Sequence, residues 1–418
     1  RRRQRQMCIR DRDGQDGADG AAGQACWDLN NNGIGDPEED INGNGVVDVV
    51  DCNAFASGAY GTAQLHAGYF TQNVYEGTSS CLSCHGKLAD EFMTTAHWKW
   101  EGDAANIEGV AGQIHGKKDI LNNFCIGIRS NEGRCTQCHA GYGYADGTFD
   151  FANPENIDCL VCHDQTGEYA KAKPTAGMPE GTVDLQAVAR SVAMNGGKPT
   201  ISNCIDCHAF AGGDDNVKHG DLALALENTT YEYDVHMGKD GVAKYECVDC
   251  HEVKRDGNDK LLSHGIGGMP YHSVDEGVMN QCDDCHGSVD SVHAGKSVEL
   301  VITVEVEGRR AHERLACQVC HIPAIARFTS TKVDWDWSTA GAVVDPIPKD
   351  PVTGRNTYDR KKGTFVWAND VRPELRFFNG KWRKMLVGVN DTYDSEPAVL
   401  AEPVGGFDDP EAMIYPFK

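Results

Sequence analysis

The sequence has no long apolar run, an excess of acidic over basic residues, and no cysteine after Cys320. Without about 18 consecutive apolar residues, a membrane-spanning helix is not expected. The 418 residues carry a formal net charge of −24. An acidic surface repels phosphate backbones, so nucleic acid is excluded as a partner, and a basic redox protein or a cation is favoured instead.

The first twelve residues differ from the rest of the chain, with six Arg and one Asp in an otherwise acidic sequence. The segment MCIRDR resembles a translated sequencing adapter. We therefore expect residues 1–12, Cys8 included, to be an artefact of sequence assembly and leave them out of the fold prediction. The absence of a signal peptide is then uninformative, and export has to be judged from the cysteines.

The pattern Cys-x-x-Cys-His occurs seven times and accounts for fourteen of the 18 cysteines. Two thiols at this spacing add to the two vinyl groups of one haem, and the adjacent His supplies the proximal iron ligand. Disulfides and zinc ribbons also use Cys-x-x-Cys, but neither explains a His after every pair. Motifs 1 to 7, in chain order, are Cys81-Cys84-His85, Cys135-Cys138-His139, Cys159-Cys162-His163, Cys204-Cys207-His208, Cys247-Cys250-His251, Cys282-Cys285-His286 and Cys317-Cys320-His321.

Nine further histidines lie outside the motifs, enough to give each of seven haems a distal ligand. Spacing does not predict which His serves which haem, and each could instead be an ordinary surface or core residue. These distal candidates are His66, His97, His115, His219, His236, His264, His272, His293 and His312.

The spacing of the motifs predicts the fold class. Their first cysteines are 24 to 54 residues apart, too little polypeptide for an ordinary core between cofactors. We expect residues 53–330 to be a mainly α multihaem cytochrome with much irregular structure, wrapped around packed porphyrins. The segment 91–100 favours a helix and 299–306 a strand. Residues 331–418 are predicted to be an irregular, aromatic-rich lobe whose aromatics form core.

Residues 13–52 predict a separate module. Gly at every third position in 13–25 resembles a Gly-x-y tract, although a flexible acidic linker explains it equally. Two adjoining loops then place oxygen donors at the spacing of calcium loops, the alternative being solvated acidic turns. We expect Cys26 and Cys52, which bracket the loops, to form a disulfide. The calcium ligands would be Asp28, Asn30, Asn32, Ile34, Asp36 and Glu39, then Asp40, Asn42, Asn44, Val46, Asp48 and Asp51.

Five segments resemble the octahaem tetrathionate reductase family, whose haem arrangement is related to hydroxylamine oxidoreductase and pentahaem nitrite reductase. The resemblance runs from about residue 78 to the end. The segments are NNFCIGIRSNEGRCTQCHAGYGYADGTFDF (122–151), IDCLVCHDQTGEY (157–169), VKHGDL (217–222), LACQVCHIPAIAR (315–327) and WDWSTAG (335–341).

The resemblance implies bis-His haems for electron transfer and one catalytic haem with a Lys ligand. It also implies eight haems, so we expect the sequence to be truncated at both ends, with the eighth motif beyond residue 418. No Cys-x-x-Cys-Lys occurs, and our candidates for the Lys ligand are Lys117 and Lys118, which otherwise would be surface lysines. The unpaired Cys125 could assist sulfur–sulfur cleavage by thiol exchange, or simply be buried.

Two functions stay open. The first is a terminal reductase of tetrathionate, nitrite or hydroxylamine at one haem that is not bis-His ligated, fed by redox proteins or quinol-linked donors. The second is a non-catalytic conductor, as a monomer, homo-oligomer or polymer. Both require electron transfer and a periplasmic, cell-surface or extracellular location, because haem is attached to Cys-x-x-Cys-His outside the cytoplasm.

Calcium removal tests the predicted module. Treating the haem-loaded protein with a chelator should open residues 26–52 to limited proteolysis and leave the haem content unchanged, since thioether bonds do not depend on calcium. Proteolytic mapping and haem quantification, before and after calcium is restored, measure both effects. Haem loss on chelation would contradict a separate calcium module.

Overall fold

The computed structural model describes residues 35–37, 46–47, 69–70, 73–119, 128, 131–195, 197–210, 214–217, 222–251, 280–296, 305–306, 308–389 and 399–418. The chain divides into two compact units, residues 1–73 with 193–196, and residues 74–192 with 197–418. In the described ranges, no helix is long and apolar enough to cross a membrane. Outside them lie Cys26, Cys52, Cys125, His66, His219, His264, His272 and all proposed calcium ligands except Asp36 and Val46.

The described residues of the haem-binding region contain ten α-helices, most of them only one or two turns long. They are α1 (Ser79–Phe92), α2 (Ala96–Lys99), α3 (Glu132–Cys135), α4 (Leu160–His163), α5 (Leu185–Asn195), α6 (Ile201–His208), α7 (Cys247–Cys250), α8 (Cys282–His286), α9 (Val289–His293) and α10 (Cys317–His321). Short 3₁₀ helices span Thr136–Cys138, Pro154–Asn156, Leu224–Leu226, Ala311–Arg314 and Trp337–Thr339. The segment 91–100, predicted to be one helix, contains instead the end of α1 and the separate α2.

Each haem motif lies on or directly after a helical turn, as its spacing requires. Residues i, i+3 and i+4 share one helix face, so in motifs 4, 6 and 7, which are α-helical throughout, both thiols and the imidazole point to the same side. Motif 2 differs, because Cys138 lies in a 3₁₀ helix and His139 is extended. Three of these helices begin with a side chain that caps the backbone. Asn203, Asp249 and Asp284 accept from the amides of Thr200, Glu246 and Gln281 at 2.9, 2.8 and 2.7 Å.

The strands form small antiparallel sheets. Most of them lie in residues 331–418, where the sequence predicted an irregular lobe. The strands are β1 (Glu101–Asp103), β2 (Ile114–Gly116), β3 (Glu305–Val306), β4 (Arg309–Arg310), β5 (Thr331–Asp336), β6 (Tyr358–Asp359), β7 (Gly363–Ala368), β8 (Glu374–Phe378), β9 (Trp382–Lys384), β10 (Ala401–Pro403) and β11 (Met413–Phe417). Strand β5 pairs with β7, β7 with β6, β8 with β11, β9 with β10, β1 with β2 and β3 with β4.

The C-terminal sheets pack against the haem-binding region rather than standing apart. Phe378 and Trp382 join Ile107 in one buried cluster with Tyr415 and Phe417. The amide of Trp382 donates to Asn106 O at 2.8 Å, and that of Ala316, next to motif 7, donates to Ile414 O at 3.0 Å. These aromatic residues therefore form core, as the sequence predicted.

A close backbone approach joins motif 2 to motif 3. Gly141 pairs with Ile157 in an antiparallel bridge, and Asp158 N donates to Ala140 O at 3.1 Å. A Cβ on Gly141 would lie 2.8 Å from Trp98 Cζ3, 2.8 Å from His139 Cε1 and 2.9 Å from Asn156 O. Only glycine fits between these atoms.

Gly141→Ala should therefore destabilise the protein. We expect a loss of about 1–3 kcal/mol, the usual cost of overpacking, seen as a lower midpoint of thermal unfolding. Gly147→Ala is the matched control, because a Cβ there meets nothing within 4 Å. Equal midpoints for the two variants would show that the approach of motifs 2 and 3 is not tight.

Candidate haem array and active site

In the described part of the chain, none of the fourteen motif cysteines forms a disulfide. Thiols of different motifs lie close enough to interact in four pairs, which places motif 1 next to motif 3, motif 2 next to motif 4, motif 4 next to motif 5 and motif 6 next to motif 7. The pairs are Cys81 with Cys159, Cys138 with Cys207, Cys204 with Cys247 and Cys282 with Cys317.

Two polar contacts connect the remaining neighbours. Asn203 Nδ2 of motif 4's helix donates to Asp164 O, directly after motif 3, at 2.9 Å. Asn280 N, directly before motif 6's helix, donates to Cys250 O of motif 5 at 2.8 Å. The motifs thus form a continuous series, 1–3–4–5–6–7, and motif 2 lies beside both motif 3 and motif 4.

Three of the distal candidates lie opposite a motif histidine. The ring centroids are 6.1 Å apart for His97 and His208, 5.9 Å for His236 and His286, and 6.2 Å for His293 and His321. Two imidazoles that ligate one metal ion from opposite sides have ring centres on the order of 6 Å apart, because metal–nitrogen bonds are about 2 Å long. These separations fit axial pairs at motifs 4, 6 and 7.

Hydrogen bonding and burial favour the ligating form of several imidazoles. His163 Nδ1 donates to Gly197 O, and His293 Nδ1 donates to Val289 O at 2.8 Å, which leaves Nε2 of each ring for a metal. Burial lowers the pKa of His139 and of His208 to about 4. Both rings are therefore neutral at physiological pH, as iron ligation requires.

His139 of motif 2 has the most enclosed surroundings. Its ring is fully buried, and Nε2 donates to Trp98 O at 2.6 Å while Nδ1 has no partner among the described residues, so that here Nδ1 is the nitrogen left for a metal. Rings of Trp98, Trp100 and Tyr144 lie with centroids 5.2 to 5.3 Å away. An imidazole with one nitrogen fixed by a carbonyl and the other without a partner fits a metal ligand.

The other histidine candidates are not brought to a motif by the described residues. His115 Nδ1 lies 3.5 Å from Asp119 Oδ2, and its Nε2 is 3.1 Å from Gln113 Oε1, so side chains occupy both ring nitrogens. For His312 the structure gives only the backbone position, in a 3₁₀ helix. Its role as a ligand stays a prediction.

The two lysine candidates have different surroundings. Lys118 Nζ forms an ion pair with Glu101 at 2.6 Å. Lys117 Nζ lies 4.5 Å from the ring centre of Trp100, which itself contacts His139. Among the described residues, no carboxylate lies within ion-pair distance of Lys117, so its amine is the more available of the two for a metal.

A cavity of about 730 Å³ adjoins this region. Tyr144, on its wall, also contacts the His139 ring, so the cavity borders motif 2. Its polar lining contains one ion pair, one histidine–carboxylate pair and one further carboxylate. These residues are Glu101 with Lys118, His115 with Asp119, and Glu132.

Sequence reasoning missed the polar residues that join motifs 2 and 3. Lys171 and Asp158 form an ion pair with side-chain exposures of 8% and 0%. The position of Asp158 directly before Cys159 was the available signal, since a carboxylate there can cap the motif helix. Nothing in the sequence pattern pointed to Lys171.

Removing a distal histidine tests the pairs. In the haem-loaded protein, His97→Ala should convert one haem from low spin to high spin, since its iron would keep His208 as its only strong axial ligand. His115→Ala is the control and should leave every haem unchanged. Electron paramagnetic resonance (EPR) and optical spectra measure both. An unchanged His97→Ala spectrum would refute the pairing.

Known proteins support the haem interpretation. Family profiles for bacterial cytochrome c and for cytochrome c554 and c-prime match residues 332–418 and 80–164. A protein of Archaeoglobus fulgidus described as uncharacterised is 27% identical over 225 residues, 42% of this chain and 73% of that protein. The crystal structure of octaheme cytochrome c from Shewanella oneidensis matches with a TM-score of 0.66 and 36% identity, over 81% of this chain and 70% of that one.

The extent of the last match decides the family, and it confirms the resemblance seen in the sequence. It combines substantial identity with a shared fold over most of both chains. The multihaem fold, with short helices, small sheets and much irregular structure, is shared with that protein. This chain therefore belongs to the octahaem family of multihaem c-type cytochromes.

Proposed function

We propose that this cytochrome is a terminal reductase whose catalytic haem is attached at motif 2, with Lys117 as the iron ligand opposite His139. The observation that carries the proposal is the position of Lys117. Its amine lies 4.5 Å from the centre of the Trp100 ring, which in turn contacts the His139 ring, and it has no carboxylate partner in the described part of the chain. When bound, haem c would supply the iron through which electrons reach the substrate.

The surroundings of motif 2 support this choice. The 730 Å³ cavity gives a small substrate room next to this motif, whereas a closed bis-His iron offers no coordination position. Lys117 would hold that position through a single amine, and its flexible stem lets the amine move aside. Trp98 and Trp100 pack against the His139 ring, restrict its orientation and exclude water from it.

The series of motifs supports electron delivery to this point. Motif 2 touches motif 4 through Cys138 and Cys207, and motif 3 through the bridge at Gly141. Electrons from motif 1 or from motif 7 could both reach it through motifs that touch. His97, His236 and His293 are our distal ligands for motifs 4, 6 and 7.

Tetrathionate is the substrate that the resemblance implies, and nitrite or hydroxylamine are the alternatives. The lining bears on this choice: Glu101 and Asp119 are paired, and Glu132 adds a negative charge. Negative charge disfavours a dianion more than the neutral hydroxylamine. Cys125 lies outside the described residues, and its assistance to sulfur chemistry stays a prediction.

The alternative function is a conductor without a substrate. The three imidazole pairs suit a conductor, because an iron with two histidine ligands can transfer electrons but has no position for a substrate. Either function places the protein outside the cytoplasm with redox proteins or quinol-linked donors as partners.

The calcium module has one supporting contact in its own unit. A Cβ on Gly35 would lie 2.8 Å from Val47 Cβ, so the two predicted loops approach each other there. These two residues hold the eighth position of their respective loops. Paired loops are the arrangement that two consecutive calcium sites require, and we keep calcium as part of the proposal.

Lys117→Met tests the proposed catalytic site. Loss of the amine should change the EPR signal of one haem and lower the catalytic current with the working substrate on the order of 10- to 100-fold. Film voltammetry with tetrathionate, nitrite and hydroxylamine measures the current. Lys118→Met removes a neighbouring charge without removing the proposed ligand and serves as the matched control.

Two results would contradict the proposal. A wild-type voltammogram unchanged by all three substrates would leave the conductor. A Lys117→Met variant with the control's spectrum and current would place the catalytic ligand elsewhere.

A further inference from the structure

A buried ion pair lies between the haem motifs 2 and 3. Lys171 Nζ is 3.0 Å from Asp158 Oδ2, and the two side chains are 8% and 0% exposed. Burying an ion pair gains little stability over an apolar pair of similar volume, because desolvation offsets the attraction. Its position between two cofactor sites suggests a different role.

The negative end of the pair belongs to motif 3. Asp158 directly precedes Cys159, and its Oδ1 accepts from Val161 N, between the two cysteines, at 3.1 Å. Tyr169 Oη donates to Oδ2 at 2.5 Å. These bonds leave the carboxylate one fixed orientation, with its charge held at the start of the motif helix.

The positive end belongs to motif 2. Lys171 Nζ donates to the carbonyl oxygen of His139 at 2.6 Å and approaches Gly141 O at 3.4 Å. The ammonium is thus held by the backbone of the proximal histidine itself. The pair forms a dipole that points from one motif to the next.

We propose that Lys171 and Asp158 set the direction of electron flow, by raising the reduction potential of the haem at motif 2 and lowering that of the haem at motif 3. A cation stabilises the reduced, less positive iron, and an anion stabilises the oxidised iron. In a water-poor interior such charges act strongly over a few ångströms. One electron would then pass downhill from a reduced haem at motif 3 to an oxidised haem at motif 2, and no bond would form or break.

The inference does not depend on catalysis, since a conductor would need the same direction of flow. Lys171→Met should lower the potential of the haem at motif 2, and Asp158→Asn should raise that of the haem at motif 3. Potentiometric titration followed by EPR, without any substrate, measures both shifts. Replacing His139 or His163 by Met in the same background changes one haem's signal and so assigns each shift to its motif.

Matched controls separate charge from packing. Lys171→Arg keeps the charge and should keep the wild-type potentials. Arg376→Met and Glu374→Gln remove an exposed pair at 2.8 Å that lies outside every motif, with side-chain exposures of 53% and 66%, and so measure the background shift. Haem content per chain confirms that each variant has matured fully.

Opposite shifts of the two haems, each beyond the exposed-pair background, support the inference. Shifts of the same sign, or none beyond that background, would overturn it. A Lys171→Arg variant that behaves like Lys171→Met would also overturn it, because the role would then lie in packing. None of these outcomes bears on the ligation by Lys117, which is judged by the EPR signal and the catalytic current of the Lys117→Met variant.

Discussion

The structure depends on one geometric constraint, the placement of two thiols and one imidazole on a single helical face. A helix places residues i, i+3 and i+4 together, so each motif presents one porphyrin with its two attachment points and its proximal ligand. Seven such turns, separated by short connections, leave little room for a conventional core. Their capping side chains, such as Asp249 and Asp284, fix where each short helix begins. The polypeptide therefore serves mainly to hold the motifs against one another.

The contacts between the motifs favour electron transfer toward motif 2. Motif 2 is the only one of the seven that combines a fully buried proximal ring, an adjoining cavity and a lysine without a carboxylate partner, as far as the described residues show. It also lies at the meeting point of motifs 3 and 4. The buried dipole of Lys171 and Asp158 is oriented toward this point, so position and electrostatics agree.

Spacing along the chain predicts the motifs, their helical turns and the supply of distal histidines, because these depend on local geometry. Spacing does not predict that His97 faces His208 across more than a hundred residues, since that pairing depends on how separate segments pack. The strands after residue 331 were missed because their alternation is short and interrupted by Gly and Pro. Lys171 was missed because nothing local marks a lysine whose partner lies thirteen residues away in the preceding motif. Lys117 and Lys118 are adjacent in sequence, and the structure distinguishes them because Lys118 forms an ion pair with Glu101.

A crystal structure of the haem-loaded chain, with the irons located by anomalous scattering, tests the central claim most directly. The account predicts an iron at motif 2 held between His139 and the amine of Lys117, with the irons at motifs 4, 6 and 7 held by His97, His236 and His293 opposite their motif histidines. A histidine in place of Lys117 at motif 2 would contradict it.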